Sequence, residues 1–202
     1  MTKEEQFWNW FKKNEAQFFF LNQIDDGDEK ERILDELWAQ LHIYCDKLYF
    51  EVGGEPDQKQ DLIITAEGNQ DFFEQVELLV RQAPHLEHWN VIAFKPIRED
   101  GTIEIDDVKL NPETMWFMPL NSKNSEKLGL RIYIDNYSPA ETETYLRAIY
   151  LVLDNLLGEK SNALEIGYVE VEDLDTYPQK EDLIELTKLA RYVSWKKNRS
   201  AN

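Results

Sequence analysis

Apolar residues open the chain at three- and four-residue intervals. Phe7, Trp8, Phe11, Phe18, Phe19 and Leu21 fall on one side of a helical wheel, so the spacing predicts an α-helix to about Leu21. Thr2 is placed to cap it, and Glu4 and Glu5 suit the positive end of its dipole. The run Asp25–Asp28 (DDGD) breaks the pattern. A second helix from Glu29 to about Lys47 then carries Ile33, Leu34, Leu37, Trp38, Leu41, Tyr44, Cys45 and Leu48 on one stripe. The short connection predicts an antiparallel helical hairpin over residues 1–47. Beyond it the period changes. Leu48 to Val52 reads as a strand, GGEPDQKQ as a turn-rich loop, and Asp61 to Thr65 as a second strand. Helical spacing returns from Asn69 with Phe72, Phe73, Val76, Leu79, Val80 and Ala83, and ends at Pro84. Trp89 to Pro96 is a third strand.

The order recurs. Met115 to Met118 is a short strand, PLNSKNSEK a polar loop, and Leu128 to Asp135 a strand. A helix from Pro139 to about Leu157 follows, with Gly158 where a C-terminal cap belongs, and Leu164 to Val171 closes the unit. A last helix is predicted from Lys180 to about Lys196. The pattern gives an α+β fold: a mixed, mostly antiparallel sheet from two strand–strand–helix–strand units, 48–97 and 114–172. A helical hairpin precedes them, and a C-terminal helix and tail follow over 173–202. The connector 98–113 is predicted to hold a short strand at Thr102 to Ile105. No linker-like stretch separates the halves, so a single domain with strands from both halves in one sheet is expected.

Within this pattern a few polar residues sit where apolar ones belong. At about 100° per residue, Glu15 lies about 80° from Phe7, inside the aromatic arc of the first helix, and Asn14 falls beside Leu21. A packed carboxylate needs a partner, because burying it alone costs several kcal/mol. Strand alternation supplies candidates. Tyr49 and Glu51 share one face of their strand, Lys95 lies on the like face of another, and Arg131 and Tyr133 on that of a third. Lys95 or Arg131 is the expected counter-charge for Glu15. His42, on the border of the second helix, is placed to approach Glu51 or Glu15, and a carboxylate–histidine pair suits acid–base work. The candidate ligand- or partner-binding set is therefore Asn14, Glu15, His42, Tyr49, Glu51, Lys95, Arg131 and Tyr133.

Composition narrows the classes of function. Forty Asp and Glu against 22 Lys and Arg give a formal net charge of −18, which repels nucleic acid and anionic membranes and favours a basic protein partner. The single cysteine, Cys45, cannot form an intramolecular disulfide and is expected to be a buried, inert thiol. No signal-peptide core or membrane-spanning run stands out, so a soluble, cytoplasmic protein is expected. His85 and His88 have a metal-pair spacing but follow Pro84 in a loop, with no third ligand implied. The motifs of nucleotide-binding loops, serine hydrolases and zinc proteases are absent, and no cofactor is implied.

The order FWNWFKKNEAQFFFL, LWAQLHIYCDKLYFEV and DLIITAEGNQDFFEQVELLVRQAPHLEHWNVIAFKP resembles a bacterial domain family without an assigned activity. The positions that carry the resemblance are Trp10, Phe11, Asn14, Glu15, His42, Phe50, Glu51, Ala66, Gly68, Asn69, Ala83, Pro84, Trp89, Phe94, Lys95 and Pro96. More remotely, the repeated α+β pattern and the acidity are similar in architecture to the acidic regulators that inhibit ribonuclease E. Neither resemblance implies a reaction. The expected function is therefore a non-catalytic binding or interaction protein, with a basic protein or a small ligand as partner. The alternative is a small-molecule hydrolase using a buried glutamate with His42.

Overall fold

The computed structural model describes residues 1–54, 58–98, 101–120, 125–177 and 179–200. They form two compact units, Met1–Lys95 and Pro96–Asn202.

In the first unit, α1 (Lys3–Phe19) starts at Thr2, whose hydroxyl accepts the Glu5 N–H while Glu5 accepts the Thr2 N–H. This reciprocal cap satisfies two amides that the helix leaves over. Phe7, Trp8, Phe11 and Phe18 are buried. The Trp8 indole N–H donates to the Leu79 carbonyl at 2.9 Å. The second helix, α2 (Gly27–Tyr44), is capped by the Asp26 carboxylate, which accepts from the Asp28 and Glu29 amides, and it buries Ile33, Leu37, Leu41 and Tyr44. Cys45, at its C-terminal cap, is half-buried rather than enclosed. Strand β1 (Tyr49–Gly53) pairs antiparallel with β2 (Gln60–Thr65); α3 (Phe73–Arg81) crosses over to β3 (Trp89–Ala93), parallel to β2. The sheet order is β1-β2-β3.

The second unit opens with a small hairpin, β4 (Ile103–Ile105) and β5 (Val108–Leu110). Then β6 (Trp116–Leu120) pairs antiparallel with β7 (Leu128–Ile134), and α4 (Thr142–Leu157) and α5 (Glu159–Glu165) lead to β8 (Ile166–Asp173), parallel to β7. Finally β9 (Ile184–Glu185) pairs with the outer edge of β6, and α6 (Leu189–Ser200) follows. The order is β8-β7-β6-β9. One hydrophobic core includes Phe117, Leu130, Ile132, Ile149, Val152, Leu153, Leu186, Leu189 and Val193.

The α+β class, the N-terminal hairpin and the C-terminal helix are as predicted. Both strand–strand–helix–strand units are present with the same pairing: each middle strand has an antiparallel predecessor on one side and a parallel successor on the other. The expectation of one shared sheet is corrected, because the strands of the two units lie in separate sheets. In each unit a hairpin and a helical crossover close the pairing locally. The last helix begins at Leu189, not Lys180. Ile184 and Glu185 pair with Phe117 and Trp116 instead, and the Leu186 N–H donates to the Met115 carbonyl. Strand β8 starts at Ile166 because α5 occupies the residues before it. Positions 55–57 and 121–124 of the predicted loops, 99–100 of the connector and 201–202 of the tail lie outside the described residues. Among the described residues no helix is long and apolar enough to cross a membrane.

Candidate functional site

Four of the eight candidate residues meet at one end of the first unit's sheet. Strands β2 and β3 run parallel, so Thr65 and Ala93 end side by side; β1 runs the other way and begins there with Tyr49, opposite Thr65. Open α/β sheets place ligands at such carboxyl ends of parallel strands. Here the chain leaves both strands through left-handed backbone: Glu67 (φ 51°) and Gly68 (φ 75°) after β2, and Phe94 (φ 67°) after β3. A left-handed conformation costs a non-glycine residue on the order of 1–2 kcal/mol and needs compensation. At Phe94 it comes from burial of the ring against Phe73, at 4.7 Å between centroids, and from its N–H bonded to the Ile64 carbonyl. At Glu67 the amide donates to the Thr65 hydroxyl at 2.9 Å.

These kinks deliver Lys95 between two carboxylates. Its Nζ lies 2.8 and 2.9 Å from the two Glu67 oxygens and 3.8 Å from Glu51 Oε1. The lysine side chain is only 10% exposed, whereas the carboxylates are 37% (Glu51) and 48% (Glu67) exposed. A shielded cation is thus held by two acids that still face solvent. Beside them, His42 Nε2 bonds the Leu48 carbonyl at 3.1 Å, which assigns the proton to Nε2. The His42 ring stacks at 3.8 Å on Trp38 and lies 6.2 Å from Tyr49. Trp38 and Tyr49 are 48% and 42% exposed.

The other four candidates lie elsewhere. Asn14 donates to the Trp10 carbonyl of its own helix. Glu15 stands one turn from both Phe11 and Phe19, whose rings flank Trp89 at the opposite end of β3 from Lys95. Its Oε2 is buried without a hydrogen-bond partner. The expected neutralisation by Lys95 or Arg131 is therefore corrected: this oxygen has no partner, while Lys95 pairs with Glu67 and Glu51. Arg131 belongs to the second unit's sheet, where its Nε pairs with Glu170 on the adjacent strand. That bond, with a lesser one to Tyr133, holds the guanidinium further above its ordinary pKa. Glu170 also accepts from Tyr168, and Tyr133 is buried with its ring 5.0 Å from Tyr177. His42 bonds the Leu48 carbonyl and lies against the Trp38 and Tyr49 rings.

Two residues of the cluster escaped sequence reasoning. Trp38 fits the apolar stripe of α2 by spacing yet projects into solvent. Glu67 gave one usable sign, its place before Gly68 at a strand end. Among the described residues no group of three or more His, Cys, Asp or Glu is arranged to hold a metal ion. His88 lies against the Phe19 ring instead.

Comparison of the chain with known family models, curated proteins and solved structures found no match.

Proposed function

We propose that the protein is a non-catalytic cytoplasmic binding protein. Its working surface is the sheet end formed by Trp38, His42, Tyr49, Glu51, Glu67 and Lys95, and its partner is a basic protein segment. The observation that carries this reading is the pairing of Lys95. Both nearby carboxylates are oriented on one shielded lysine and the histidine proton is held by a backbone carbonyl, while two aromatic rings remain half open. Groups tied in this way are poorly placed to move protons for a substrate. Solvent-exposed carboxylates beside exposed aromatic faces suit the side chains of lysine and arginine, which gain both from the carboxylates and from the rings. The net charge of −18 would speed encounter with such a partner.

The test is capture from a native lysate at low and high salt by wild type and by a Trp38→Ser/Tyr49→Ser variant. Both side chains are exposed, so the fold should persist, as circular dichroism would verify. The expected result is salt-sensitive capture of a basic protein that the variant loses. Equal capture by both proteins, or a captured protein that is itself acidic, would remove this surface from consideration.

A further inference from the structure

The C-terminal helix reverses the character of the rest of the chain. From Leu186 to Asn202 the sequence holds Lys188, Arg191, Lys196, Lys197 and Arg199 and no Asp or Glu, in a protein of net charge −18. Lys188, Arg191, Tyr192 and Trp195 recur at three- and four-residue intervals, which places them along one side of α6 and the turn before it. With Ile184 of β9 they line an open groove of about 240 Å³.

The groove has an apolar floor and a cationic rim. Tyr192 is anchored in the core by its ring contact with Phe117 at 5.6 Å, and its other side meets Trp195 at 5.4 Å. Trp195 is 48% exposed, and the Arg199 guanidinium sits 5.0 Å from its ring centroid. Lys188 pairs with Glu185 at 3.2 Å, but both groups are more than half exposed, and such pairs are worth little. Arg191 makes no ion pair among the described residues.

We infer that this groove docks an acidic peptide segment carrying one large apolar side chain. Charge complementarity selects the acid, since an acidic segment is repelled by a protein of net charge −18 as a whole and steered to this basic helix. Volume selects a single anchor. The groove is smaller than the roughly 300–1,000 Å³ typical of small-molecule pockets, and an exposed tryptophan beside arginine is a common anchor at protein interfaces. A long polyanion is disfavoured, because it would extend past the helix into the negative field. This surface is independent of the one on the first unit.

The test uses the nitrogen-15-labelled full chain, observed by two-dimensional NMR. The probe is an acetylated octapeptide of aspartate and glutamate with one central phenylalanine. The expected result is saturable shifts confined to the amides around Lys188, Arg191 and Tyr192 and to the Trp195 indole N–H, reduced at high salt. Arg191→Glu and Trp195→Ala should each weaken binding about tenfold or more, as should replacing the phenylalanine by alanine. The absence of shifts would overturn the proposal, as would equal shifts with a lysine-based octapeptide. Tighter binding of oligothymidylate or of phosphatidylglycerol vesicles would reassign the groove to nucleic acid or lipid. Shifts of the same signals with protein concentration alone would reassign it to a second copy of this chain. The wild-type titrations decide the matter even if a variant loses its spectral dispersion.

Discussion

Glu15 illustrates what a single residue can and cannot announce. Its position inside an aromatic arc is legible from helical spacing, because Phe11, Glu15 and Phe19 are four residues apart and the flanking rings both meet Trp89. Its lack of a partner was not legible, since that depends on where the cations of other strands are spent. Glu15 Oε2 and the Trp89 indole N–H are both buried without partners, so the carboxylate is a cost rather than a contact. Glu15→Met, similar in length and helix propensity, should raise stability by about 1 kcal/mol, read as a higher urea midpoint with unchanged slope. A lower midpoint would show that the carboxylate has a stabilising role. Tyr44 sends a different signal. Its hydroxyl donates to the Gln75 carbonyl, and burial, with the nearby Glu4 charge adding, pushes its pKa up from the ordinary 10.0 to about 12. Between those values the unfolded chain releases this proton and the folded chain retains it. Stability should therefore be insensitive to this group below pH 10 and decline from there to about pH 12, with that component of the decline absent in Tyr44→Phe.

At the scale of elements, local chemistry fixed the ends that the sequence could show. Thr2 with Glu5 starts α1, and Asp26 starts α2 just ahead of the predicted Glu29. Where tertiary pairing competes with periodicity, pairing wins. Leu183, Ile184 and Leu186 continue the spacing of α6, yet Ile184 and Glu185 lie in a strand because the open edge of β6 offers them backbone partners. The α1 helix has a comparable long-range tie, the Trp8 indole bonded to the Leu79 carbonyl. Trp8→Phe keeps an aromatic ring in the core and removes that bond. It should cost about 1–2 kcal/mol, and hydrogen exchange should accelerate first along α1. Equal acceleration throughout the first unit would mean that α1 does not open separately.

For the whole molecule, the repeated unit was legible as a recurring order of strands and helix, and the structure gives the two copies the same strand pairing. That their strands would form separate sheets was not legible, because apolar alternation marks a buried face without naming its neighbour. The candidate site divides along the same line. His42, Tyr49, Glu51 and Lys95 share a strand end through adjacency in one sheet, whereas Arg131 and Tyr133 occupy the corresponding face of the other copy. Since each unit completes its own pairing and buries apolar residues of its own, fragments 1–95 and 96–202 should each show a cooperative thermal transition by circular dichroism. A fragment that melts without a transition would show that its unit depends on the remainder of the chain.

The seat of Lys95 also governs its reactivity. An amine attacks an electrophile only when the reagent can reach it, and the Lys95 side chain is only 10% exposed. Lys47 and Lys109, at 54% and 68% exposed, should be acylated promptly by an amine-directed ester, while Lys95 stays unmodified until the fold opens. Peptide mapping after timed labelling would rank them, and acylation of Lys95 as rapid as that of Lys109 would show that the amine is not shielded.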